Sequence, residues 1–202
     1  TKQKVEHMIQ QKVDLIYTMG SLGGRAAKEV TAALKPNLPV VFGVVSNPIG
    51  VGLVARMQSS ENNLTGITPY NEVIISKRLE VFLETVPELK RIIFAWQDPD
   101  TTGIDNLREA VRSFNIEFVE KRINNSQELL AFLKSFSYRQ GDGIVRAADS
   151  ASGLASQEII TLAHEKKVAL SGTNANDVDR GALMSYGANF HKIGIQAARL
   201  AD

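Results

Sequence analysis

Short, nearly continuous apolar runs alternate with stretches of helical period along this chain, and that alternation constrains its fold more than any other feature. Val13–Thr18, Pro39–Val45, Arg91–Trp96, Ile116–Lys121, Gly143–Ala147 and Val168–Ser171 are strand candidates. Several are apolar throughout rather than at every second position, which suits strands covered on both faces in a parallel sheet. Between them, Ile75, Leu79, Phe82 and Val86 recur at helical spacing, as do Ile104, Leu107, Val111 and Phe114. Leu129, Phe132 and Phe136 form a third stripe, and Ala155, Ile159, Leu162 and Lys166 a fourth. Asn125 stands three residues before Glu128, the spacing of a capping box. Strands alternating with helices of this length predict βαβ units with right-handed crossovers.

Asn63–Thr68 reads as a short strand between turn residues, followed by Pro69 and a long helix. Similar β/α patterns precede and follow it, which predicts two sheets. The expected division is a first lobe over residues 1–68, rejoined by 186–202, and a second lobe over 69–185.

Lys and Arg number 23 against 22 Asp and Glu, so no cationic excess is available to neutralise a nucleic-acid backbone. The absence of cysteine removes disulfides, thiol nucleophiles and thiolate metal sites. Thr1–Gln11 is polar and reads as a helix rather than a leader. Pro36–Ala55 carries no charge over 20 residues, but three prolines and three glycines within it argue for a buried strand, a polar loop and a short helix rather than a membrane span. His7, His164 and His191 have no ligand-type partner at helical spacing, so no metal or cofactor is expected.

In open α/β sheets, ligands bind beyond the carboxyl ends of strands. Here those ends carry Gly20 and Ser21, then Ser46 and Asn47, then Asp98 after Trp96, then Asp149 and Ser150, and last Asn174. Gly20–Gly24 (GSLGG) reads either as an anion-binding turn with Ser21 as donor and N-cap, or as a glycine-rich turn that packs a helix on its strand. Trp96 either stacks on a flat ligand or fills the core. Asp98 and Asp149 each either meet a ligand ammonium or hydroxyl, or cap the next helix.

Taken together, the motifs resemble a known family. Asn47–Val54 (NPIGVGLV) resembles the D-P-V-G-A-G-L-V segment of bacterial ABC-transporter substrate-binding proteins of the tryptophan- and aromatic amino-acid-binding lipoprotein type. Asn62–Thr68 (NNLTGIT) is similar to the family's G-N-V-T-G-V-S, and Arg180–Gly187 (RGALMSYG), followed by Ala197-Ala198, to its G-A-L-A-S-Y-G ending. Asp149-Ser150 stands where the family has Asp-Asn, and Gly20-Ser21 matches its G-T-P-A-A turn in part. The similarity runs from about Val13 to Ala201.

The resemblance implies a type I periplasmic-binding fold of two doubly wound parallel-sheet lobes, with ligand held in the cleft between them and no catalysis. It implies transport of a small amino-acid-like or aromatic ligand, a membrane ABC permease as partner, and a periplasmic or extracellular, membrane-anchored location. The alternative is a ligand-sensing domain of a bacterial signalling or regulatory protein with the same fold. Ser21 is expected at the ligand carboxylate, Asp149 at its ammonium, and Trp96 or Tyr70 over its apolar side chain. Relative to the family, this chain is expected to lack the first β-α-β of lobe 1, to carry Asn47 for the usual Asp, and to have Gly23 and Gly24 for alanines. Exposed sheet edges on a shortened lobe make a homodimer possible.

Overall fold

A computed structural model describes residues 1–69 and 71–201. The chain divides into two compact units, Thr1–Pro69 with Phe190–Asp202, and Tyr70–Asn189.

Unit 1 opens with α1 (Lys2–Gln10), followed by β1 (Ile16–Met19), α2 (Gly20–Leu34), β2 (Val40–Gly43) and β3 (Leu64–Ile67). The strands form a three-stranded parallel sheet in the order β1-β2-β3. Ile16, Ala27, Val40, Phe42, Leu53 and Leu64 close into one apolar cluster under α2. Asn63 anchors the start of β3, its amide donating to the Leu38 carbonyl (2.6 Å) and the Thr31 hydroxyl (3.0 Å).

Unit 2 begins with α3 (Asn71–Thr85), β4 (Arg91–Gln97), α4 (Ile104–Ser113), β5 (Glu117–Ile123) and α5 (Ser126–Ser135). It continues through β6 (Asp142–Val145), α6 (Ser150–Leu154), α7 (Ser156–Lys166), β7 (Ala169–Gly172), α8 (Ala175–Asp179) and β8 (Met184–Ser185). The last helix, α9 (Phe190–Ala201), returns to unit 1, where it lies against β2 and β3 and buries Ile193 and Ala197. The sheet of unit 2 is parallel, in the order β5-β4-β6-β7-β8. Ile92 and Phe94 of β4 join one core with Leu79, Phe82 and Leu107, while Ile93 and Ala95 join another with Leu129, Ile159 and Leu170. Cover on both faces is the reason the strand reads as a continuous apolar run.

Three local expectations need correction. Ser46–Ala55 forms successive turns and no helix. Asn47 Oδ1 accepts from Gly50 N–H (2.9 Å), and the Leu53 N–H reaches back to the Pro48 carbonyl (2.8 Å), which closes the loop before a helix can propagate. The box at α5 is offset: Asn125 accepts from Glu128 N–H (2.9 Å), but Glu128 accepts from Asn124 N–H (3.0 Å), one residue earlier than in the standard arrangement. Val86, Phe114 and Phe136 stand just past the ends of the helices whose stripes they extend.

Candidate functional site

In unit 1, Gly20–Ser21 follow β1 and Ser46–Asn47 follow β2, so parallel neighbours place both pairs at one carboxyl edge. Gly20 opens α2 with φ +74°, and the N-cap is Met19, without a side-chain cap bond. Ser21 is therefore not the cap. It is buried inside the first turn. The packing reading holds at Gly24, where an added Cβ would stand 2.6 Å from Leu53 Cδ1. The loop after β2 leaves the strand at Val44, whose φ of +57° is an outlier for a β-branched residue. Such strain persists only where surrounding contacts enforce it. Here the Val44 N–H donates to the Ile67 carbonyl (3.1 Å) and the Thr68 hydroxyl to the Ser46 carbonyl (3.3 Å). Lys28 adds a bond to the Gly52 carbonyl (2.6 Å).

In unit 2 the strand order reverses between β4 and β6, with β5 on one side of β4 and β6 on the other. The two strands pair only from Arg91↔Asp142 to Ile93↔Ile144, so their carboxyl ends part at the topological switch point where such sheets hold ligands. Asp149 spans the gap. Its Oδ2 accepts from Gln97 N–H (2.9 Å) and the Thr101 hydroxyl (2.8 Å), and its Oδ1 from Ser152 N–H (2.8 Å) at the start of α6. Burial pushes this carboxyl up from its ordinary pKa, against the pull of those donors. Of the two readings open for Asp149, the structure shows the cap: three protein donors hold its carboxylate at the start of α6. The Gln97 amide crosses the same gap, donating to the Asn124 carbonyl (2.7 Å) and accepting from Ala151 N–H (3.2 Å). Ser150 N–H donates to Asp100 Oδ2 (2.8 Å).

Below these loops lies a buried charged cluster that sequence reasoning missed. The Arg146 guanidinium donates to the Ser152 carbonyl (3.0 Å), the Thr173 hydroxyl and Asp177 Oδ2 (2.6 Å). Burial alone would raise the Asp177 carboxyl, but Arg146 and the Thr173 N–H (2.7 Å) hold it below the usual carboxylate range. Asn174 caps α8 in a reciprocal box with Asp177. Arg78 of α3 is 1% exposed and donates to the carbonyls of Tyr186 (2.6 Å) and Arg146 (3.2 Å). Its signal was present in the sequence, because residue 78 falls on the same helical face as Ile75, Leu79 and Phe82. Arg146 likewise interrupts an apolar strand run, which demands a partner.

At the outer end of β4, Trp96 sits opposite Arg122 of β5. The Arg122 guanidinium carbon lies 6.0 Å from the indole centroid, and the indole N–H donates to Glu120 (3.3 Å). Arg122 also pairs with Asp98 at 2.7 Å, and both side chains remain substantially exposed. Trp96 packs partly on the core under α3 and α4. Among the candidates in unit 2, Trp96, Asp98, Asp149, Ser150 and Asn174 all stand at one carboxyl edge. Tyr70 lies outside the described residues. His164 Nε2 lies 2.7 Å from the Gly181 carbonyl oxygen.

The family described as ABC transporter substrate binding protein matches residues 1–202. The chain is 25% identical over 204 residues to the "Tyrosine-binding protein" of Clostridioides difficile (strain R20291), covering all of this chain and 57% of that one. It thus spans little more than half the length of that curated relative. The fold is shared with a solved conserved domain protein of Vibrio cholerae (TM-score 0.79, 20% identity, 99% of this chain and 66% of that one). It is also shared with the ABC domain in complex with L-Trp from "Streptococcus pneumonia" (TM-score 0.77, 17% identity, 99% and 69%). With the family matched across its full length, this chain belongs to the ABC transporter substrate-binding proteins.

Proposed function

We propose that this chain is the ligand-holding part of a solute-binding component of an ABC uptake system, taking an aromatic amino acid and carrying out no catalysis. The observation that carries this reading is the switch point between β4 and β6, where Asp149 and Gln97 fix the loop ends in advance of any ligand. Preorganised polar loops beside an aromatic surface are what a small zwitterion needs. The names of the relatives, one tyrosine-binding and one solved with L-Trp, support the ligand class.

In this reading Asp98, with Asp149 beside it at the same carboxyl edge, meets the ligand ammonium, Arg122 favours its carboxylate, and Trp96 covers its ring. Ser150 and Asn174 shape the adjoining loops of unit 2, and Gly20, Ser21, Ser46 and Asn47 are the carboxyl-edge residues that unit 1 contributes to ligand binding. A membrane permease is the partner, and the protein works outside the cytoplasm, anchored to the membrane. No described helix is long and apolar enough to cross a membrane. The homodimer expected from exposed sheet edges finds no support in the relatives and is not carried into this reading.

Calorimetry against L-tyrosine, L-tryptophan and the other amino acids tests the proposal. Binding of an aromatic member is expected, with Asp98→Asn weakening it by about tenfold or more, the worth of a charged hydrogen bond. Absence of heat with every amino acid, from protein that unfolds cooperatively, would refute it.

A further inference from the structure

Unit 2 is bounded by two passages of the chain, one ending at the start of α3 and the other leaving after Asn189. Both press against the loops at the carboxyl edge of the sheet. Gly103, with φ +78°, ends the loop after β4, and a Cβ there would lie 3.0 Å from Glu72 Cα and 3.2 Å from the Asn71 carbonyl oxygen. Gly187, in the outgoing passage, has no room at all: its Cβ would fall 1.7 Å from the Thr173 carbonyl oxygen, in the loop after β7. Arg78 then joins passage to loop. Its Nε donates to Tyr186 in the outgoing passage and its Nη1 to the Arg146 carbonyl at the end of β6. The Arg146 side chain continues the chain of bonds to Ser152 and Asp177. Burial draws the Arg78 guanidinium down to about 10, so it stays charged at neutral pH. A desolvated cation is costly to keep, and a leucine would pack an apolar helix face with less penalty.

We infer that Arg78 is a positioning residue for ligand binding, tying the outgoing segment Tyr186–Asn189 to the loops after β6 and β7 so that their conformations form one coupled equilibrium. The inference rests on the ligand-binding reading above. Because coupling is reciprocal, ligand at the loops steadies the segment, and loosening the segment weakens the ligand.

The test compares the wild-type full chain with Arg78→Met and Arg78→Lys, reading affinity for L-tyrosine and L-tryptophan, thermal midpoint, and amide exchange over residues 184–189. Ligand is expected to slow exchange in that segment of the wild type. Arg78→Met is expected to abolish this protection and to weaken binding by about 2- to 30-fold while the protein stays folded. Arg78→Lys keeps the charge but loses the forked donor geometry, so it should fall between them. If Arg78→Met lowers only the thermal midpoint and leaves affinity and protection intact, the residue is merely structural and the inference fails. If Arg78→Met does not fold, Arg78→Lys decides by the same criteria. If the wild type binds no amino acid, the functional proposal has failed instead. The coupling is then judged by whether Arg78→Lys speeds exchange at both Thr173–Asn174 and residues 184–189; unchanged exchange at Thr173–Asn174 overturns it.

Discussion

In unit 1 the loop after β2 is fixed by close apolar packing, with Leu53 driven against Gly24 and the backbone folded into turns around Asn47. In unit 2 the loop after β6 is fixed by buried charge, with Arg146 on Asp177 and the Asp149 carboxylate across three donors. Exposed ion pairs occur in both units, Arg122–Asp98 among them, but the buried pairs among the described residues lie in unit 2. Lys2–Glu29 and Arg56–Glu61 of unit 1 are largely exposed, whereas Arg91–Asp142 (side chains 11% and 1% exposed) and Arg146–Asp177 (6% and 3%) of unit 2 are buried. Exposed pairs contribute little, while a buried pair is costly to break on one side. Two ways of holding a loop still therefore coexist in one chain, one responsive to side-chain volume and the other to charge.

The sharpest way to break this contrast is Asp177→Ala. It strands the Arg146 guanidinium in the interior and should cost about 3–5 kcal/mol, read from denaturant unfolding followed by the single tryptophan, Trp96. A loss below about 1 kcal/mol, typical of an exposed pair, would show that the buried pair is not what holds these loops. In unit 1 the matching change is Leu53→Ala, which opens a cavity and should cost about 2–5 kcal/mol, seen as faster amide exchange in β1 to β3. Exchange unchanged there would mean that turns alone fix the loop.

The smallest expected effect is that of pH. Asp142, which burial would raise but Arg91 holds low, and Asp177 both sit below the usual carboxylate range in the folded state. Their stabilisation is complete above an unfolded value of about 4 and fades as pH falls through their lower folded values. Asp149 acts in the opposite sense, since its raised folded pKa makes stability fall as pH climbs from about 4 through that value. In Asp149→Asn, which removes the opposing group, Asp142 and Asp177 remain, so the Trp96-monitored transition of that variant should weaken between pH 7 and pH 3. Equal midpoints at both would remove charge from the account of unit 2.

Much of the architecture was legible because strands buried on both faces leave no polar positions to confuse the reading, as Ile92–Ala95 illustrate. β8, two residues long, carries too little pattern to be seen. The carboxyl-edge loops were found from position alone, but the work of their residues was not. An aspartate past a strand end satisfies a cap and a ligand equally well on paper, and the three donors that make Asp149 a cap come from loops whose approach no local pattern encodes. Arg78 and Arg146 belong to no motif, and only their register within an apolar stripe and an apolar strand run marks them as buried.

The amide of Asn63, spent on the Leu38 carbonyl and the Thr31 hydroxyl, has one more consequence. With Leu64 and Thr65 it spells an acceptor sequon for N-linked oligosaccharide. An amide already committed to two internal acceptors at the root of a strand has no room for a sugar in the folded state, so an oligosaccharide attached before folding would cost both bonds and loosen β3 from its neighbours.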